Sequence, residues 1–63
     1  MGLGVLLERI RQLRAIDQNA LEVYSDLERF AEDKGLKKQL QELAEDESRH
    51  VALEKEVLSL LEG

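Results

Sequence analysis

The chain has 63 residues, no cysteine, no proline and a formal net charge of −5 at pH 7. The missing cysteines exclude disulfides, iron–sulfur clusters and thiolate zinc sites, and the negative balance argues against a nucleic-acid partner, which would want a basic face. A single domain of this size, 1–63, buries only about 60% of its unfolded surface, so a nitrogen/oxygen metal site, a second chain, or both must supplement its core.

In chain order, the opening MGLGVLL is apolar but too short for a signal peptide, and no basic stretch precedes it. Gly2 invites N-myristoylation, but position 6 is Leu where Ser or Thr is wanted. No apolar run approaches the ~20 residues of a membrane span. The expectation is a cytoplasmic protein with no membrane partner. With abundant Leu, Glu, Lys, Arg and Ala and only four Gly, the composition reads as all-α.

The first element is a helix over 4–33. Its seam, at alternating spacings of three and four, is Leu6, Ile10, Leu13, Asp17, Ala20, Tyr24, Leu27 and Ala31, widened by Ile16, Val23 and Phe30. The break follows at EDKG, 32–35, where Gly35 reads as a C-terminal stop and Lys34 suits the negative end of the helix dipole. A turn at 33–35 leads to a second helix over 36–61. Its seam is Leu36, Leu40, Leu43, Glu47, His50, Glu54, Val57 and Leu61, widened by Ala44, Val51 and Leu58. So short a link predicts an antiparallel two-helix hairpin. Faces this wide suit pairing of two hairpins into a four-helix bundle, with the chain itself as partner.

Both seams are apolar at the ends and polar in the middle. At about 1.5 Å per residue, Asp17 lies about 26 Å from the turn, His50 about 23 Å, Glu47 about 18 Å and Tyr24 about 15 Å. Folding back therefore gathers them in one layer near the middle of both helices. A lone buried carboxylate costs several kcal/mol unless paired or metal-bound. Two hairpins would bring together two copies each of Asp17, Glu47 and His50, and a pair of divalent ions would resolve the repulsion. Oxygen and imidazole donors without sulfur suit iron or manganese, and also zinc. Glu54 reads first as a tolerated seam charge or salt-bridge partner and second as a further ligand. Glu22, five residues from Asp17, points about 140° away from it and off the seam.

At these residues the sequence resembles the rubrerythrin branch of the ferritin-like superfamily. Its layout is most similar to the encapsulated ferritins, half-bundles that build their iron centre by dimerising. The family spacing runs from a carboxylate to Tyr, to a Leu opening the next helix, then to the Glu of Glu-x-x-His. Asp17, Tyr24, Leu36, Glu47 and His50 reproduce it without a gap, and LKKQLQELAEDESRH at 36–50 resembles the family's second helix. The resemblance implies ferroxidase-type oxidation of Fe(II) to Fe(III) for storage or detoxification, at a centre of two irons per subunit pair. Glu47 would bridge the ions, His50 would bind terminally, Asp17 would complete the shell, and Tyr24 would hydrogen-bond a ligand carboxylate. It also implies a homodimer or an assembly of dimers, and an encapsulating shell protein as partner.

The chain departs from the family at Asp17, where Glu is usual, and at Ile16 and Asn19, where acidic residues would feed iron inward. The family's third helix and shell-addressing tail have no counterpart before Gly63. A designed di-iron hairpin would share the same seam logic. The competing expectation is a metal-free hairpin whose seam polar groups only set the register of dimerisation.

Overall fold

The computed structural model describes residues 2–63. Two helices account for nearly all of them: α1, Leu3–Phe30, and α2, Lys34–Glu62. They lie antiparallel as a rod of 47 × 14 × 14 Å. Near the open end, Arg11 donates to Glu62 across the pair at 2.6 Å. The all-helical hairpin expected from the periodicity is thus the observed architecture. No helix among the described residues is long and apolar enough to cross a membrane.

The link falls at residues 31–33, slightly earlier than the glycine suggests, and it is made by a different residue. Ala31 leaves the helix with extended backbone while its N–H still bonds to Leu27 O at 2.9 Å. Asp33 then caps α2, its Oδ1 accepting the Leu36 N–H at 2.8 Å. This satisfies one of the orphan donors at a helix start. Gly35 therefore belongs to the first turn of α2 and is no stop. Its φ is not positive, so the left-handed conformation that makes glycine a helix terminator is not used here. A Cβ at position 35 would lie 3.2 Å from the capping Asp33 Oδ1. The glycine makes room for the cap.

Each sequence seam divides in two on folding. Ile10, Asp17 and Tyr24 of α1 and its C-cap Ala31 are half-buried, facing Leu40, Glu47, Glu54 and Leu61 of α2, which are half-buried as well. The alternate members, Leu6, Leu13 and Leu27 with Leu36, Leu43, His50 and Val57, stay exposed, and only Ala20 among them is half-covered. The alternates sit about 40° from the inward stripe, turned in the same sense on both helices. In an antiparallel pair, equal turns of the same sense bring both exposed stripes to one side of the hairpin.

That side is broadly apolar. Ile16, Val23 and Phe30 extend it on α1, with Phe30 76% exposed. The flanking residues of α2 turn the other way and supply the core, where Val51 and Leu58 are the buried residues. The accessible surface is 4914 Å², against about 4,100 Å² expected for a compact monomer of this mass. A lone hairpin thus leaves its main apolar side in water, more than soluble monomers usually tolerate.

Candidate metal centre

The inward stripes carry polar residues at mid-height, where both helices are otherwise lined by Leu, Ile, Val and Ala. Asp17 comes from the middle of α1; Glu47 and His50 are one turn apart on α2. Their donor atoms all lie within 4.8 Å of one another. His50 Nδ1 is 3.3 Å from Glu47 Oε1. The Glu47 side chain is 18% exposed and His50 58% exposed. His50 projects from the open apolar side, while Glu47 lies between the helices. The hairpin fold thus brings together the three residues expected to be first in line as ligands.

Glu54 lies one heptad beyond Glu47, on the same inward stripe but outside that group of three. Its carboxyl is pushed up from 4.5 to about 7. Burial contributes most, followed by the hydrogen bond and negative charge of Asp17; His50 opposes the rise and Glu47 adds to it. Asp17 is therefore flanked by two glutamates of α2. Two oxygens, Glu47 Oε2 and Glu54 Oε2, are buried without any hydrogen-bond partner. Orphaned buried acceptors are uncommon, because each carries its full desolvation penalty.

Tyr24 is half-buried on the same stripe of α1. Its hydroxyl satisfies neither orphaned oxygen, since both are without partners. Glu22 is exposed and outside the cluster. Glu54 keeps both of the roles that helix counting left open. Its seven-residue step from Glu47 marks it as another inward position, but an inward carboxylate and a tolerated seam charge look alike until the facing residue is known.

The donor set fits a divalent cation. Metal–oxygen and metal–nitrogen bonds of about 2.0–2.2 Å place donors on one ion no more than about 4.4 Å apart. A spread of 4.8 Å closes with small side-chain rotations. A cation would also satisfy the orphaned oxygens and offset the repulsion among Asp17, Glu47 and Glu54. Carboxylate and imidazole donors select iron, manganese or zinc over softer ions. Compared with protein-family models, curated proteins and solved structures, the chain matches none.

Proposed function

We propose that the chain is an iron-binding half-bundle that pairs with a second copy, enclosing two ions between subunits, and that it oxidises Fe(II) to Fe(III). The observation that carries this reading is the convergence of Asp17, Glu47 and His50 within 4.8 Å beside carboxylate oxygens that have no partner. The apolar side of the hairpin supports the pairing, because His50 projects from it. A two-fold axis through mid-height would set one His50 near the other and place the Glu47 side chains between them.

Iron is the substrate here. Each pair of Fe(II) ions gives up two electrons. Dioxygen accepts them with two protons and leaves as hydrogen peroxide; peroxide accepts them with two protons and leaves as two waters. The protein's part is to hold and orient. Asp17 and His50 would bind from opposite helices, and Glu47, with one oxygen toward His50 and one buried and free, would reach between two ions. The apolar rim formed by Leu13, Leu43 and Val57 would exclude water and strengthen charge interactions inside. The expected setting is cytoplasmic.

An anaerobic Fe(II) titration followed by oxygen tests the reading, with stoichiometry and ferric absorbance followed together. Binding near one iron per chain and oxidation faster than in buffer are expected. A protein that holds no iron under these conditions refutes the reading. The exposed apolar side would then be the feature left to explain, as the seam of a metal-free dimer.

A further inference from the structure

Glu54 stands out among the polar groups of the hairpin. It occupies an inward position flanked by Val51 and Leu58, both buried, where an apolar side chain would pack without cost. Its Oε2 is buried and unpartnered. Glu54 stands just outside the three converging donors Asp17, Glu47 and His50, on the same inward stripe as Glu47. Along α2 it follows His50 by four residues, so the two side chains leave the same side of the helix one turn apart. Spacings of three and four are those by which one helix presents two ligands to one ion. Asp17 has the shortest arm of the four groups, and it must reach across from the opposite helix.

On the basis of the proposed centre, we infer that Glu54 is a further metal ligand, supplied by the same hairpin, whose long side chain provides the carboxylate reach that Asp17 lacks. A divalent cation in each hairpin is then held by Asp17, His50 and Glu54, with Glu47 free to span toward the second ion. Three carboxylates against one dication leave each half of the centre with one excess negative charge. That excess favours hard divalent ions and disfavours monovalent ones. It also explains why a carboxylate rather than leucine is tolerated between Val51 and Leu58.

The test uses the full chain freed of metal with a chelator, and Co(II) as the probe, because its visible absorbance reports the donors around the ion. Glu54→Gln keeps the shape of the side chain and removes its anionic oxygen. It is expected to weaken Co(II) binding at least about tenfold and to change the visible band. Asp17→Glu combined with Glu54→Gln is expected to recover most of the lost affinity, since the longer arm restores the reach. Helicity measured without metal checks that each variant folds. Should Glu54→Gln unfold, Glu54→Asp, which keeps the charge and shortens the arm, is expected to show the same weakening.

Wild-type affinity in Glu54→Gln overturns the inference, as does weakened affinity with an unchanged visible band, or failure of the double variant to recover. If in those cases His50→Ala still abolishes Co(II) binding, the proposed centre stands without Glu54. If the wild type binds no Co(II), or His50→Ala binds it normally, the centre itself is refuted and the inference falls with it.

Discussion

Without metal, the stability of the hairpin should fall as the pH rises from 5 to 8, and Glu54 should be the cause. Its carboxyl in the folded chain is pushed up to about 7 from an ordinary 4.5. The folded state therefore holds a proton that the unfolded state has already released. Stability from this source is complete below about pH 4.5 and is lost as the pH climbs through about 7. At about 1.4 kcal/mol per pH unit, a dry site would lose about 3 kcal/mol per chain. Solvent reaches part of Glu54, so a loss of about 1–2 kcal/mol is the better expectation. For a domain this small, that lowers the melting temperature by roughly 4–16 °C. The assay is thermal unfolding by circular dichroism at fixed protein concentration and ionic strength, with chelator present. Asp17, Glu47 and His50 are ionisable neighbours of this group, so the informative quantity is wild type minus Glu54→Gln, in which their contributions largely cancel. A wild-type melting temperature that is flat or rises between pH 5 and 8 would refute the reasoning, as would an equal fall in Glu54→Gln. With saturating Zn(II) the sign should reverse, because the ion competes with protons for the same oxygens.

The chain should sediment as a dimer or an assembly of dimers at micromolar concentration, and Leu43→Glu, on the open apolar side, should shift it toward monomer with loss of helicity; a folded 7.2 kDa monomer of the wild type would contradict this. Glu47→Leu should raise apo stability, because it removes a half-buried carboxylate with an orphaned oxygen, while abolishing Fe(II) binding; Glu22→Ala, exposed and outside the cluster, should change neither. Asp33→Ala should cost about 1 kcal/mol by removing the α2 cap, read as a lower urea midpoint with an unchanged slope.

The helices were legible because spacings of three and four run almost unbroken through both of them. The link was harder to read. Gly35 and Asp33 are both helix-boundary residues, one typical of ends and the other of starts, and DKG contains each signal. The cap prevailed because Asp33 bonds the Leu36 N–H, which places Gly35 inside the new helix. The polar layer was legible by height, since the rise per residue brings Asp17 level with Glu47 and His50. Which half of each seam turns inward was not legible. Leu13 and Asp17 sit only about 40° apart on a helical wheel, and the choice between them depends on how the two helices rotate against each other. That rotation sends Glu54 in and His50 out, a distinction on which the chemistry of the site depends.

The hairpin has two deficits, and they coincide in space. Between its helices, Asp17, Glu47 and Glu54 crowd together with two oxygens unsatisfied, a surplus of acceptors that no residue of the hairpin fills. On one side, Leu13, Ile16, Val23, Leu43 and Val57 are exposed, a surplus of apolar surface that nothing in the hairpin covers. A cation alone would meet the first and leave the second. A partner hairpin alone would cover the apolar side, but it would seal the carboxylates into a drier interior and make their repulsion worse. The two remedies are therefore coupled. Pairing would raise the need for an ion, and an ion would remove the main obstacle to pairing. His50 would be the residue through which such coupling runs, because it alone of the three converging groups both lies 3.3 Å from a Glu47 oxygen and belongs to the exposed side. Any change that moves His50 inward, or replaces it with an aliphatic residue, should therefore separate the two events. Such a variant should still pair, but it should no longer pair more tightly when metal is added.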